Sequence, residues 1–94
     1  DVVLEPSERT VKVKDQTSQR LTQLEFRLLY ILMVNAGQTL SSDRVIEYVW
    51  GYSGKGSRDL VRGLIKRLRS KTEEDPQNPR YILTVTGAGY TLKP

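Results

Sequence analysis

Short segments in which apolar and polar residues alternate occupy residues 1–21 of the chain. Three of them, Val2–Leu4, Thr10–Lys14 and Gln19–Leu21, are separated by turn-prone residues at 6–7 and 15–18. A period of two is typical of strands that bury one face, and short separators allow neighbouring strands to pair antiparallel. The pattern therefore predicts a small antiparallel meander.

The spacing becomes helical after Leu21. The string Thr22-Gln23-Leu24-Glu25 has the form of a capping box, in which the Thr hydroxyl and the Glu carboxylate satisfy free amides at a helix start. We predict a first helix from Gln23 to about Ala36, ended by Gly37. Apolar residues occur around much of its circumference, which indicates a buried central helix.

A second helix is predicted after Ser41 or Ser42, because either hydroxyl can cap its start. Gly51 ends it, and it should pack against the first helix through residues that recur with helical spacing. These residues are Val45, Ile46, Val49 and Trp50. A glycine-rich connection, 51–56, leads to the next element.

A third helix is predicted at Ser57–Lys71, and it separates apolar from basic residues. At about 100° per residue, one sector of about 140° collects the apolar side chains that can dock on a core. These are Leu60, Val61, Leu64, Ile65 and Leu68. Arg62 and Lys66 lie on the opposite side with Asp59 and Ser70, while Arg58 and Arg69 flank one edge of the sector and Arg67 flanks the other.

Helix-breaking residues follow at 73–76 and 78–79, and the chain ends in a hairpin pattern. Its strands are predicted at Tyr81–Thr86 and Tyr90–Leu92, with Gly87-Ala88-Gly89 as the turn. A glycine-tipped hairpin beside a DNA-bound helix is shaped to reach adjacent phosphates or the minor groove. Alternatively, Gly87 and Gly89 serve the turn alone. We expect one hydrophobic core built from the inward positions of the three helices. It comprises Leu24, Leu28, Leu32, Val45, Val49, Val61, Ile65 and Leu68.

Composition bounds the class of protein. A chain of 94 residues with 37% hydrophobic content suits one small domain, residues 1–94. It has no Cys and no His, so disulfides, thiolate metal sites and His-assisted nucleophiles are excluded. We expect no metal and no cofactor. No segment has the length or composition of a membrane span or secretory signal, which fits a cytoplasmic protein.

Charge is concentrated in the third helix. It has six basic residues and one acid, a net charge of +5, while the whole chain is +4, so the remainder is −1. A helix fits the DNA major groove, where Arg can pair bidentately with guanine and other cations can contact phosphate. The alternative is that this face is only solvated. Gly63 lies on the same face, either to let DNA approach the backbone or as a tolerated weakness in the helix.

Several strings together resemble one family across nearly the whole chain. They are LTQLEFRLLYIL, LSSDRVIEYVWGY, LIKRLRSK and EEDPQNPRYILTVTGAGY. They are similar to the OmpR/PhoB-type winged-helix effector domain of bacterial two-component response regulators. The similarity lies in the first helix, in the V-W-G that ends the second helix, in the I-x-R-L-R-x-K of the third helix and in the T-V-x-G-x-G-Y of the hairpin. The resemblance implies an α+β winged helix-turn-helix: an N-terminal antiparallel sheet, three helices and a C-terminal β-hairpin wing.

The resemblance also implies a function and its residues. The third helix, about 57–71, would enter the major groove of double-stranded DNA, and the wing, about 81–92, would lie on the adjacent backbone or minor groove. Recognition positions fall on Arg62, Gly63, Lys66, Arg67 and Arg69, with Arg58 beside them, and phosphate-contacting positions fall on Trp50, Thr84 and Tyr90. Burial in the core is the alternative for Trp50. A loop that faces RNA polymerase in such activators falls on Tyr52, Ser53, Gly54 and Lys55.

Two positions depart from the family pattern. Thr86 stands where the wing commonly has Arg, so we expect hydroxyl or backbone contacts there instead of a minor-groove cation. Arg62, Gly63 and Leu64 stand where an acid, a branched residue and a His are common, so no base preference can be inferred. The resemblance further implies transcription regulation by phosphorelay, self-association on repeated DNA half-sites, and a receiver domain that this chain does not contain, as if the effector domain were excised from a longer protein.

Two functions other than DNA binding are alternatives for this sequence: protein interaction and catalysis. A winged-helix domain can be a protein-interaction module, which would show no steep salt dependence of DNA binding. An enzyme is disfavoured, because Asp43 and Glu47 share a helix face but no nucleophile, metal-ligand set or phosphate loop accompanies them. A solvated pair of surface acids explains them.

Overall fold

The structure, a computed structural model, describes residues 2–51 and 58–94. Within these residues the elements follow the predicted order of three strands, three helices and two strands. They are β1 (Val2–Glu5), β2 (Thr10–Val13), β3 (Gln19–Arg20), α1 (Gln23–Val34), α2 (Ser42–Trp50), α3 (Arg58–Thr72), β4 (Ile82–Val85) and β5 (Gly89–Leu92). The strands form two antiparallel sheets, β1–β2–β3 and β4–β5. The predicted α+β order of elements is confirmed.

The N-terminal meander packs one side of β2 on the helices. Val11 and Val13 are buried and Lys12 between them is exposed, as the period of two predicts. Val11 pairs with Leu4 in β1 and with Gln19 in β3. The sheet therefore covers the core with alternate residues of its central strand.

Helix caps set the ends of α1 and α2. The amide of Glu25 donates to the Thr22 hydroxyl, and the amide of Thr22 donates to the Glu25 carboxylate, so the predicted capping box is present. The Ser41 hydroxyl accepts from the amide of Arg44 and caps α2. Gly51 ends that helix with φ of +82°, a left-handed conformation that favours glycine.

Some element ends differ from the prediction by one or two residues. The first helix ends at Val34 and not at Ala36, because the Asn35 side chain donates to the carbonyl of Ile31 and caps the helix there. β2 ends at Val13 because Lys14 has φ of +50° and leaves the extended conformation. α3 continues to Thr72, and its predicted first residue, Ser57, lies outside the described residues.

The core forms where the three helices meet, since α1 packs against α2 and α3, and α2 packs against α3. Seven of the eight predicted core residues are buried, and Leu24 is partly buried. The buried ones are Leu28, Leu32, Val45, Val49, Val61, Ile65 and Leu68. None of the helices in the two described ranges is long and apolar enough to cross a membrane.

Two predictions about burial are wrong. Leu60 is 46% exposed, because it lies in the first turn of α3 and at the edge of the predicted apolar sector, about 140° from Ile65. α1 is not buried around its circumference, because the sheet and the other helices cover only part of it: Tyr30 is 53% exposed and Val34 is 62% exposed. Tyr30 instead stacks with Phe26, with ring centroids 6.2 Å apart.

The hairpin, which we call the wing, comprises β4, the turn 86–88 and β5. A short bridge attaches β5 to the segment before α2: the amide of Leu40 donates to the carbonyl of Tyr90, and the amide of Tyr90 donates to the carbonyl of Leu40. Gly89 permits this approach, because a Cβ there would lie 2.0 Å from the Leu40 carbonyl oxygen. This glycine is therefore required by packing as well as by its φ of +144°.

A buried ion pair joins α3 to α1. The Lys71 ammonium donates to the Glu25 carboxylate at 2.6 Å and to the carbonyl of Arg20 at 2.8 Å, and Glu25 is only 2% exposed. Burial raises the pKa of the Glu25 carboxyl, but the hydrogen bonds from Lys71 and Thr22 and the Lys71 charge outweigh burial, so the pKa is lowered. Lys71 therefore acts inside the fold, apart from the other cations of α3.

Truncation of Ile65 should test the facing of α3. Ile65→Ala should lower the free energy of unfolding by about 2–5 kcal/mol, because it opens a cavity among buried residues. Leu60→Ala is the matched control on the same helix and should change it by less than about 0.5 kcal/mol. Urea denaturation measures both, and equal losses in the two variants would contradict the assigned facing.

The stability lost on removal of Lys71 should depend on pH. Lys71→Met should cost about 1–3 kcal/mol at neutral pH, because the buried carboxylate loses its charged donor. The folded-state pKa of Glu25 lies below the unfolded value of 4.5, so its stabilising contribution is present above that value and is lost as the pH falls through the folded-state pKa.

The deficit of Lys71→Met should therefore shrink in acid, where Glu25 is protonated in parent and variant. Urea denaturation at neutral pH and below the folded-state pKa measures it. The control is Lys12→Met on the exposed side of β2, which should show no deficit at either pH. A deficit of Lys71→Met that is the same at both pH values would exclude the ion pair as its cause.

Candidate nucleic-acid interface

The exposed side of α3 carries cations that were predicted there from the sequence. Arg58, Arg62, Lys66 and Arg67 are exposed, while Val61, Leu64, Ile65 and Leu68 are buried on the other side. Arg62 forms an ion pair with Asp59 at 3.2 Å, in which both side chains are largely exposed. Such a surface pair is weak, so it leaves Arg62 able to exchange its partner for an anionic ligand.

Two clefts separate this side of α3 from the wing. One, of about 340 Å³, is lined by Arg58 and Arg62 of α3, by the start of α2 at Ser41–Asp43, and by wing residues that include Thr84 and Tyr90. The other, of about 420 Å³, is lined by Arg62, Lys66 and Arg69 of α3 with Thr84 and Tyr90. Six of the residues predicted from the sequence therefore converge between α3 and the wing, the two elements that follow each other at the end of the chain.

Arg69 is held by the wing. Its Nε donates to the carbonyl of Ile82 at 3.0 Å, and its Nη2 donates to the Thr84 hydroxyl at 2.9 Å. Burial lowers the pKa of Arg69, although a guanidinium remains charged in proteins. Two of its nitrogens thus bond to the wing.

Glu73 is a functional candidate that the sequence reasoning missed, since it was interpreted only as a helix breaker. Only 6% exposed, its carboxylate accepts from the amides of Arg80, Tyr81 and Ile82, at 2.6 Å for Arg80 and 2.8 Å for Ile82. The helical wheel gave no signal for this burial. Continued at about 100° per residue, it places Glu73 between Arg62 and Lys66, on the side opposite the apolar sector, and so predicts an exposed side chain.

The other predicted residues lie around the clefts. Gly63 is partly buried, and among the residues that the structure describes a Cβ there would meet the Arg67 guanidinium alone, at 3.7 Å. Thr86 is exposed in the wing turn. Trp50 ends α2 partly buried and packs against the core, so core packing accounts for part of its ring. The loop predicted to face RNA polymerase, Tyr52, Ser53, Gly54 and Lys55, lies outside the described residues.

The geometry suits a long anionic surface. An α-helix with cations along one side fits the major groove of DNA, and a hairpin beside it can reach the neighbouring phosphates. Hydroxyls from Thr84 and Tyr90 lie beside Arg62 and Lys66 in the second cleft, and none of the described residues that line this cleft is acidic. Donors of this kind stabilise phosphate oxygens.

Comparison with known proteins identifies relatives of this arrangement. The family model "Transcriptional regulatory protein, C terminal" matches residues 16–92. The DNA-binding dual master transcriptional regulator RpaA of Synechocystis sp. is 45% identical over 76 residues, which is 81% of this chain and 32% of RpaA. The probable transcriptional regulator ycf27 of Galdieria sulphuraria is 46% identical over 82 residues, 85% of this chain and 32% of the relative. The chain thus spans about a third of their length.

Solved structures share the fold. The response regulator DrrB of Thermotoga maritima, an OmpR/PhoB homologue, superposes with a TM-score of 0.85 at 33% identity, covering 100% of this chain and 42% of DrrB. The RstA DNA-binding domain of Klebsiella pneumoniae, solved in complex with the RstA box, gives a TM-score of 0.84 at 27% identity, covering 98% of this chain and 90% of that domain.

Proposed function

The chain belongs to the OmpR/PhoB-type family of C-terminal DNA-binding domains of transcriptional regulators, and we propose that it reads specific sites in double-stranded DNA through α3 and the wing. This is a family of transcription regulators and not of enzymes. The observation that carries the proposal is the convergence of α3 cations and wing hydroxyls on the two clefts.

In the proposed complex, α3 lies in the major groove. Arg62, Lys66 and Arg67 supply its base and phosphate contacts, because they are exposed and project away from the core. Bidentate pairing of Arg with guanine is the commonest specific contact of this kind. Gly63 lets the helix backbone approach the DNA closely, a role supported by the absence of a side-chain packing reason for glycine there.

The wing and the helix ends position the domain on phosphates. Thr84 and Tyr90 contribute hydroxyls, Arg58 and Arg69 contribute charge beside them, and the edge of the Trp50 indole donates from the end of α2. Thr86 makes a hydroxyl or backbone contact in place of a groove-inserted cation. Sequence is then read mainly by α3, and the wing adds affinity and register.

The proposal extends to the full-length protein. By resemblance, it carries a receiver domain whose phosphorylation controls this output domain in a cytoplasmic two-component system, and two copies bind repeated half-sites. The segment at 52–55 would contact RNA polymerase. The RstA domain was solved on its own DNA box, which supports a comparable mode of binding here.

Selection of bound sequences from a random pool of duplexes tests the proposal directly. We expect enrichment of a short motif in two spaced copies. Affinity for that motif should fall steeply with salt, because phosphate contacts release counterions. No enrichment and no salt dependence would instead favour a protein-interaction module.

Substitution of two cations on α3 should weaken DNA binding without unfolding the domain. Lys66→Ala and Arg67→Ala should each cost about 1–3 kcal/mol if a base contact is lost, or flatten the slope of log K against log salt by about one unit if a phosphate contact is lost. Fluorescence anisotropy on the selected duplex measures both. Lys12→Ala, on the exposed side of the N-terminal sheet, is the control; equal effects of all three variants would show that only net charge matters.

Gly63→Ala should change stability and affinity in opposite directions. The added methyl meets no backbone and favours the helix, so the free energy of unfolding should rise by about 0.5–1 kcal/mol. DNA binding should weaken, because the methyl separates the α3 backbone from the groove. Thermal melting and anisotropy on the same sample give the two values. Undiminished affinity would show that Gly63 is a tolerated weakness in the helix.

A further inference from the structure

One peptide segment of the wing, at Ile82, is held at both of its polar groups by α3 and the residue that follows it. The amide of Ile82 donates to Glu73, and its carbonyl accepts from Arg69, one helical turn away. We propose that Arg69 and Glu73 are positioning residues that fix the wing relative to the recognition helix, so that both reach DNA in one register. This inference rests on the proposed function, since it concerns how the DNA-binding surface is aligned.

The free edge of β4 explains why the pair of Arg69 and Glu73, which we call the clamp, is needed. The amide of Lys93 donates to the carbonyl of Tyr81, so this carbonyl faces β5, and alternation in an antiparallel ladder turns the polar groups of Ile82 to the opposite edge. A two-stranded hairpin is only marginally stable by itself. β5 is attached through the Leu40–Tyr90 bridge, whereas the polar edge of β4 is bonded to the side chains of Arg69 in α3 and of Glu73 just after it.

The side chains of Arg69 and Glu73 have opposite charges and complementary hydrogen-bonding roles. Glu73 can only accept hydrogen bonds, and three successive amides at 80–82 converge on it. Arg69 can only donate, and it reaches the Ile82 carbonyl and the Thr84 hydroxyl further along the strand. Hydrogen bonds to charged groups are stronger than neutral ones, and burial of Glu73 keeps water from competing for them.

The clamp also orients a proposed DNA contact. Because the Thr84 oxygen accepts from Arg69, its hydroxyl hydrogen is left to donate to another acceptor, such as a phosphate oxygen beside the cleft. Arg69 would then contribute to binding chiefly through the wing. The buried side chain of Ile82 anchors β4 in the core as well, so a test has to separate wing position from stability.

Wing position can be measured without DNA. The chain has no cysteine, so Ser70→Cys on α3 and Ala88→Cys at the wing turn allow two spin labels to be attached at exposed positions. Glu73→Gln should widen the distance distribution between the labels about twofold, since local opening follows the loss of tethering hydrogen bonds. Glu74→Gln is the matched control, because Glu74 is exposed and should leave the width unchanged.

An unchanged width in folded Glu73→Gln would overturn the proposal. If circular dichroism shows that this variant does not fold, Arg69→Met replaces it, because it keeps the aliphatic stem and removes both donors to the wing. An unchanged width in that variant would overturn the proposal equally.

DNA affinity provides the second readout. Glu73→Gln should weaken binding to the selected duplex roughly tenfold by misplacing the wing. Combined with Tyr90→Phe, which removes a wing hydroxyl, its loss should be less than multiplicative, whereas combined with Lys66→Ala it should be multiplicative. A multiplicative loss with Tyr90→Phe would overturn the coupling. Failure of the parent chain to bind any duplex would reject the proposed function while the label distances still decided the clamp.

Discussion

Helix α3 packs into the core on one side and faces water on the other, and the rest of the domain depends on this constraint. Its Val61, Leu64, Ile65 and Leu68 are buried where the three helices meet, and burial of such side chains stabilises a domain by about 1.5–3 kcal/mol each. The same 15-residue helix presents cations to water on its other side. Because the apolar side is fixed in the core, the orientation of the basic side is fixed too. The packing of the core therefore fixes the orientation of the charged surface before any ligand binds.

Side chains at the end of α3 extend this control to its neighbours. Lys71 reaches back to Glu25 at the start of α1, while Arg69 and Glu73 reach the edge of β4. Lys71 and Glu25 are 46 residues apart, whereas the bonds to Ile82 span 13 and 9 residues. Each of these bonds pairs a charge with an opposite charge or with a backbone group. The helix, the start of α1 and the wing are thus tied together by polar bonds with defined geometry, which apolar packing alone does not give.

Much of the fold followed from local patterns. The Thr22 capping box, the Ser41 cap and the period of the apolar residues predicted the helices to within two residues, because caps and amphipathic spacing depend on neighbours in the chain. Leu60 was placed wrongly because a helical wheel gives direction but not where the core ends. The role of Glu73 was missed because its partners at 80–82 come together with it only in the folded chain. The residues that line the two clefts from α3 and the wing include six that the sequence singled out, but it did not indicate the bonds that Arg69 makes to the wing.

Chemical-shift mapping of the amides during titration with the selected duplex tests the central claim most directly, because it locates the interface on the folded domain. If α3 and the wing form the DNA-binding surface, the largest changes will fall on the exposed side of α3 between Arg58 and Arg69 and on residues 84–90 of the wing. Changes concentrated in β1–β3 or on the exposed side of α1, with α3 unaffected, would contradict the account.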